Sequence, residues 1–348
     1  MMKIAFLIPE LVNCGPINVV LSIIKNLDRN KFSPVIISVR HGGNLEYETR
    51  VLEEFNLSIF YLCDYYSSFV GLDSIIKEHN IYCVHSHGYY PDKFLSKISG
   101  VRKISTIHCL FYSDYIKEYG LLKGGVAAFL HFNILKNGKF DYIVGCSNSV
   151  ASYCKEKLKM NNVMNINNGV DQIKYCFSSR DEKNYFKSKY NLDDIYLFVY
   201  SGRFIRRKRV PELINFFLST TPDNCYLYLL GDGPEKLECE EKFASKRIKF
   251  IGQVNNPEDY YKMADFIISN SSAEGYPMSI IEAVSCGCYA FLSNISSHDE
   301  FIINNPNSAS YLNDLSFKDL SRMSTSPSDV ESLSSSIMTS KYELLYSK

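Results

Sequence analysis

The chain of 348 residues has no tryptophan, and neither sign of charge is in excess, with 38 Lys and Arg against 38 Asp and Glu. Zero net charge leaves no global electropositive field of the kind that draws proteins to nucleic acid, so no nucleic-acid partner is expected. No run approaches the roughly 18 apolar residues that a spanning helix needs. Residues 1–9 are apolar for too few positions to read as a signal peptide and are expected to form a strand. The eleven cysteines lack metal-site spacing: Cys286-Gly287-Cys288 has no partner pair at zinc-ligand distance, so no bound metal is expected. An odd, scattered set implies reduced thiols packed as small core residues in a reducing cytosol. The expected location is cytoplasmic, at most on the inner face of a membrane.

What is present is a hydrophobic fraction of 46%, enough for a core in each of two domains of roughly 150–190 residues. The first half is net basic and the second net acidic. Short apolar runs alternate with amphipathic segments, the pattern of β-α units on parallel sheets. Strands are expected at 3–9, 34–39, 58–63, 82–85, 103–107 and 142–145, with helices such as 17–26 and 148–159. A polar stretch at 168–194 interrupts the pattern and is expected to be the interdomain connection. Strands resume at 197–201, 225–230, 248–252, 266–269 and 289–292. The expected fold class is α/β, with parallel-sheet domains at 1–167 and 195–328 facing a central cleft. A last helix at 329–348 would return in part to the first domain. Open parallel sheets bind ligands beyond the carboxyl ends of their strands.

The sharpest constellation is Ser272-Ala273-Glu274-Gly275-Tyr276-Pro277-Met278-Ser279-Ile280-Ile281-Glu282. Pro277 fits the first position of a helix, whose free N–H groups near Met278 and Ser279 would attract an anion. Glu274 and Glu282 could then grip hydroxyls on two sugars flanking a phosphate; a plain acidic helix start, favoured by the dipole, has the same letters. Gly202-Arg203-Phe204-Ile205-Arg206-Arg207-Lys208-Arg209 places five cations at a strand exit, suited to a diphosphate, or simply a solvated loop. Arg203 and Lys208 are expected to face inward. Gly231-Asp232-Gly233-Pro234 is a strand-to-helix turn without the third glycine of a dinucleotide fingerprint. Asn13-Cys14-Gly15-Pro16 is a tight turn where Gly15 allows close approach of a ligand. His85, His87 and His108 end strands; they are candidates for sugar hydroxyls, with rim or core packing as the plainer reading. Residues 115–140 mix apolar residues and lysines, as an amphipathic helix covering a sheet or resting on an anionic membrane would.

Together these motifs resemble glycosyltransferase family 4, whose GT-B fold has two Rossmann-like domains facing a donor cleft. The resemblance runs over nearly the whole chain and is densest from Asn168 to Glu300. Its marks are Asn168-Gly169-Val170-Asp171, Gly202-Arg203-Phe204 with Lys208, Gly231-Asp232-Gly233-Pro234, and Glu274 and Glu282 at the E-x7-E spacing. The resemblance implies that Arg203 and Lys208 bind the diphosphate and stabilise the departing nucleotide. It implies that Glu274 holds hydroxyls of the donor sugar and Glu282 the ribose. Gly275, Met278 and Ser279 would line the donor, and Gly15 would approach its phosphates. His108 would contact the sugar near the anomeric carbon, and the backbone at Val254 would read the base. Departures are Cys14 and Arg209 where the family commonly has glycine, and a short tail after Glu300.

The implied activity is transfer of a sugar from a nucleotide diphosphate, a UDP-sugar before a GDP-sugar, with retention and no bound cofactor. The acceptor would be a saccharide or lipid-linked saccharide in bacterial capsule, O-antigen or exopolysaccharide assembly, with peripheral membrane contact through the first domain. The alternatives are a non-catalytic nucleotide-binding protein of this fold, or another enzyme of this fold such as a sugar-nucleotide epimerase.

Overall fold

The computed structural model describes residues 1–315 and 317–348. Two compact units result: Met1–Gly169 with Ser335–Lys348, and Val170–Ser334.

The first unit is built on seven parallel strands: β1 (Met2–Ile8), β2 (Phe32–Ser38), β3 (Ile59–Tyr61), β4 (Cys83–His87), β5 (Arg102–Ile107), β6 (Tyr142–Gly145) and β7 (Val163–Asn165). They lie in the order β3-β2-β1-β4-β5-β6-β7. Ile4 to Ile8 of β1 are all buried, as expected of a parallel strand covered by helices on both faces. The strand expected at 58–63 is shorter, because Leu62–Asp64 turns into a 3-10 helix. The run at 115–140 is not one helix but two, Phe111–Tyr119 and Leu121–Asn137, broken at Gly120 with φ 83°. Gly124 lets them pack closely: a Cβ there would meet the Tyr115 carbonyl oxygen at 2.2 Å.

The second unit carries six parallel strands: β8 (Tyr196–Ser201), β9 (Cys225–Leu230), β10 (Ile248–Gly252), β11 (Phe266–Ser269), β12 (Tyr289–Leu292) and β13 (Ala309–Tyr311). Their order is β10-β9-β8-β11-β12-β13. Phe198, Phe217, Phe266 and Phe291 form an aromatic layer in the core, with Phe198 and Phe266 stacked at 4.7 Å.

The segment 168–194, expected to be a connection, is folded into the structure. Val170 bridges to Ser334 within the second unit, and Arg180–Ser188 is a helix with a Ser179/Glu182 capping box. Lys183 explains why this polar stretch is ordered. Its buried Nζ donates to the carbonyl oxygens of Tyr261, Ala264 and Cys286 at 3.2, 2.7 and 3.0 Å, and Lys187 pairs with Asp265. A buried ammonium is tolerated when its donors are all used. The tail departs from the single helix expected at 329–348. A short helix Pro327–Val330 and a 3-10 turn end at Ser334. The following helix Ser335–Ser347 packs on Gly15–Asn26 of the first unit, with Asn26 Nδ2 to Ser335 Oγ at 2.9 Å.

In each sheet the strand order reverses direction at one place, between β1 and β4 in the first and between β8 and β11 in the second. Loops leaving adjacent strands part there and open a crevice at the carboxyl edge. Most of the candidate residues lie at or next to these two points, with Val254 beyond the edge strand β10.

Candidate active site

In the second unit, the loop after β8 is shaped by the turn after β9. Phe204 N donates to Asp232 O at 2.8 Å, and Glu235 N donates to Phe204 O at 3.1 Å. Gly231 and Gly233 have φ of 124° and 152°. Cβ atoms there would sit 2.0 Å from Gly202 O and 2.5 Å from Phe204 O. Both glycines of this turn therefore exist for close backbone approach to the basic loop. The basic run then forms a 3-10 turn, Arg206–Lys208, ending at Arg209 in the left-handed region (φ 50°). That is the position where the family commonly has glycine.

This turn is tied to the loop after β11. Ser272 N donates to Arg207 O at 2.8 Å, and Arg207 Nη1 donates to Ala273 O at 2.7 Å. Lys208 Nζ then meets Glu274 Oε1 at 2.5 Å, and Ser271 Oγ donates to the same oxygen at 2.6 Å. Burial alone would raise the Glu274 carboxyl, but Lys208, His298 and Arg207 outweigh it and hold it down at about 2. Glu274 is thus a fixed anion with a fixed cation against it. Of the two cations expected to face inward, Lys208 does so and Arg203 is exposed. Arg207, which the sequence did not single out, is the second cation beside Glu274.

Behind Glu274 stands His298, fully buried. Its Nδ1 lies 3.0 Å from both the carbonyl oxygen and Oγ of Ser293, while Ser293 Oγ donates to Ser271 O. A carbonyl only accepts, so Nδ1 carries the ring proton. Burial depresses the imidazole pKa, with Glu274 opposing. The neutral ring presents a bare Nε2 with no protein partner. Neither His298 nor Ser293 was legible as a site residue, because their only signal is proximity through the fold.

Pro277 caps the helix Met278–Ser285 rather than opening it, and the first bonds back to its carbonyl come from Ile280 and Ile281. The N–H groups of Met278 and Ser279 precede those bonds, and Gly275 is buried just before them. Glu282, one turn on, is buried rather than projecting. Burial raises its carboxyl to about 7, against the pull of Lys174 and hydrogen bonding from Tyr175 and Tyr261. Here the folded-state value lies above the unfolded one. The contribution to stability is therefore full below the unfolded value of about 4.5 and is lost as pH rises to about 7. Glu282→Gln is expected to be more stable than wild type at pH 8 by about 3 kcal/mol, with a higher Tm, and to differ little at pH 5; calorimetric scans at the two pH values check this. Val254 lies half-buried in the loop after the edge strand β10.

In the first unit, Gly15 opens the helix Gly15–Asn26 directly after the β1 loop. Gly15 is not among the glycines with positive φ, so unusual dihedrals are not what this position uses. His108 follows β5, and its Nε2 lies 2.9 Å from His87 Nδ1 at the end of β4. That bond leaves His108 only Nδ1 for a ligand. Burial pushes both rings down, His108 to about 4. His85 has a different task. Its Nδ1 meets Tyr346 OH at 2.8 Å and its Nε2 meets Thr106 Oγ1 at 2.7 Å, so both nitrogens are used in packing the last helix under the sheet. Among the described residues, the side chains whose donor atoms gather within metal-ligand reach are His41, Cys63 and Asp64, all exposed.

Two family models match this chain in succession. One described as Glycosyltransferase Family 4 covers residues 15–172, and one described as Glycosyl transferases group 1 covers residues 181–318. The two matches together span most of the chain and make it a glycosyltransferase, and the chain belongs to glycosyltransferase family 4. It is similar to the O-antigen biosynthesis glycosyltransferase WclY of Escherichia coli, 25% identical over 307 residues, which are 84% of this chain and 80% of that protein. It is also similar to the capsular polysaccharide biosynthesis glycosyltransferase CapH of Staphylococcus aureus, 28% identical over 272 residues, 74% of this chain and 72% of that one. Among solved structures, Anabaena HepE in complex with UDP and glucose superposes with a TM-score of 0.79 at 14% identity, covering all of both chains.

Proposed function

We propose that the enzyme transfers a sugar from a nucleotide-diphosphate donor, a UDP-sugar before a GDP-sugar, to a saccharide or lipid-linked saccharide in bacterial surface-polysaccharide assembly. The observation that carries this is the Lys208–Glu274 pair at the carboxyl edge of the second sheet, 2.5 Å apart and mostly buried. It puts a fixed cation beside a fixed hydroxyl-gripping anion, as a sugar diphosphate requires. Lys208, Arg203 and the N–H groups of Met278 and Ser279 would take the diphosphate. Glu274 would accept hydroxyls of the donor sugar, and Glu282 would accept those of the ribose. Val254 would face the base. Leaving-group charge on the diphosphate would be stabilised by Lys208 and Arg203, and the departing phosphate would help deprotonate the acceptor, giving retention. The relatives' roles in O-antigen and capsule synthesis support the setting.

A panel of UDP- and GDP-sugars tested by thermal shift checks the donor. At 100 times its Kd a donor adds about 2.7 kcal/mol to the folded state, and the shift should vanish in Lys208→Met. A panel in which no nucleotide sugar moves Tm overturns the donor assignment.

Among the described residues no helix is long and apolar enough to cross a membrane. The helix Leu121–Asn137 instead leaves Leu121, Leu122, Val126, Phe129 and Leu130 exposed, with Lys123 close by. We assign this face to an anionic bilayer surface, where a lipid-linked acceptor resides. Wild type should co-sediment with phosphatidylglycerol vesicles and the Leu122→Glu/Phe129→Glu double variant should stay in the supernatant; equal sedimentation of the two rules the assignment out.

A further inference from the structure

At the carboxyl edge of the first sheet lies a cavity of about 190 Å³. Sites for drug-sized ligands run to roughly 300–1,000 Å³, whereas an apolar hole of about 150 Å³ accepts one benzene ring. The space therefore suits a single six-membered ring. Pro9, Val12, Ile17, Ile107 and Phe111 supply apolar walls. Tyr115 and His131 also line it, and they belong to a hydrogen-bonded chain that the donor chemistry does not use.

That chain begins at Asp92 of the helix Tyr89–Leu95, which is fully buried. One carboxylate oxygen accepts from Ser86 Oγ at 2.5 Å, and the other lies 2.7 Å from His131 Nε2. His131, 3% exposed, has its Nδ1 2.8 Å from the Tyr115 hydroxyl. The polarity follows from the donor inventory. A carboxylate only accepts, so Nε2 of His131 carries the ring proton. Its Nδ1 holds the Tyr115 hydroxyl by a single hydrogen bond. The phenol oxygen keeps a lone pair free to accept from a ligand hydroxyl. Burial, with Cys109 and Asp92 nearby, pushes the Tyr115 phenol well above its ordinary range, so it stays un-ionised. The three residues come from three separate helices, with Asp92 and His131 39 positions apart.

We propose that Tyr115 is a specificity-determining residue that accepts a hydrogen bond from a hydroxyl of one sugar ring seated in this cavity, with His131 and Asp92 as positioning residues that fix its hydroxyl. The proposal deepens the glycosyl-transfer reading and rests on it. A ring presenting an ether oxygen or a bare carbon at that position would leave a half-buried acceptor unsatisfied, which sites of this kind reject strongly. The ring could come from the acceptor saccharide or from the donor, since both offer the same hydroxyl chemistry.

The test uses the full chain with UDP present and, as probes, methyl α-glucoside, methyl α-galactoside, methyl N-acetyl-α-glucosaminide and their monodeoxy analogues, titrated by saturation-transfer NMR. Wild type should bind at least one glycoside and lose roughly tenfold in affinity when one particular hydroxyl is absent. Tyr115→Phe, which keeps the ring, should bind the parent about as weakly as wild type binds that deoxy analogue, and should no longer tell the two apart. His131→Gln and Asp92→Asn should blunt the same discrimination without abolishing binding, a pattern that loss of packing alone does not give. The source is read from hydrolysis of the donor without acceptor: Tyr115→Phe slows it if the ring is the donor's and leaves it unchanged if it is the acceptor's, and each result is consistent with the proposal. Should Tyr115→Phe fail to fold, the deoxy series on wild type still decides. Discrimination retained in Tyr115→Phe, or no glycoside bound by wild type, overturns the proposal. A nucleotide-sugar thermal shift that persists in that event leaves the donor reading standing, and its absence removes both.

Discussion

Glu274→Gln is expected to lower turnover by about 10²–10³-fold, the range seen when a single charge-stabilising group is taken from a preorganised site. Two effects combine. The amide no longer accepts strongly from a sugar hydroxyl, and Lys208 loses the anion that fixes its position. The substitution also leaves a mostly buried ammonium unpaired, which costs about 3 kcal/mol when one partner of such a pair is removed. In a unit of this size that is a Tm loss of about 6–12 °C. The double variant Lys208→Met/Glu274→Gln separates the effects. It should recover most of the stability, because no uncompensated charge remains, while turnover stays lost. Recovery of turnover along with stability would show that Glu274 acts only on the fold. Below neutrality the pair has its own signature. The Glu274 carboxyl is held at about 2, below its unfolded value of about 4.5, so its contribution is present above pH 4.5 and disappears as pH falls through 2.

Gly231→Ala carries the largest expected effect on folding. The residue has φ 124°, where an L side chain is strained, and the added Cβ would lie 2.0 Å from the Gly202 carbonyl oxygen. That atom is backbone and cannot rotate aside. Strain and overpacking together should cost about 3 kcal/mol or more, seen as a thermal transition lowered by about 6 °C or more. Whatever folds should have lost the nucleotide-sugar shift, because the Gly202–Lys208 loop must move to admit the methyl. Gly43→Ala is the control: a Cβ there meets nothing within 4 Å, so Tm should hardly change. A Gly231→Ala protein with wild-type Tm and donor binding would mean that the turn does not shape the basic loop.

The alternation of apolar runs with amphipathic segments was enough to read two parallel α/β domains, because strand and helix periods are local properties. Cys225–Leu230, Phe266–Ser269 and Tyr289–Leu292 carry that signal in their own letters. The segment 168–194 misled for an equally local reason. Its lysines read as a solvated connection, since nothing nearby in sequence reveals that Lys183 ends against three carbonyl oxygens some 78 to 103 positions away. The tail misled likewise. Serines at 334–336 do not announce a break, and the burial of Tyr342 and Tyr346 depends on strands laid down more than 200 residues earlier.

The site divides along the same line. Glu274, Glu282, Arg203 and Lys208 were legible because their spacing along the chain matches strand exits and one helix start, and spacing is written in the sequence. Which of them meet was not. The contact of Lys208 with Glu274 spans 66 positions, and it forms because β8 and β11 are neighbours at the point where strand order reverses. The same reversal brings Arg207 beside the glutamate and puts His298 behind it. It also gives two glutamates of one motif opposite character: Glu274, beside Lys208, is held as an anion, while Glu282, buried against tyrosines, is pushed toward neutrality. Sequence by itself determined the kind of fold, the family and the strand ends where chemistry would gather. Only the tertiary structure decided the partners and the opposite character of Glu274 and Glu282, because these depend on distances through space and on exclusion of water.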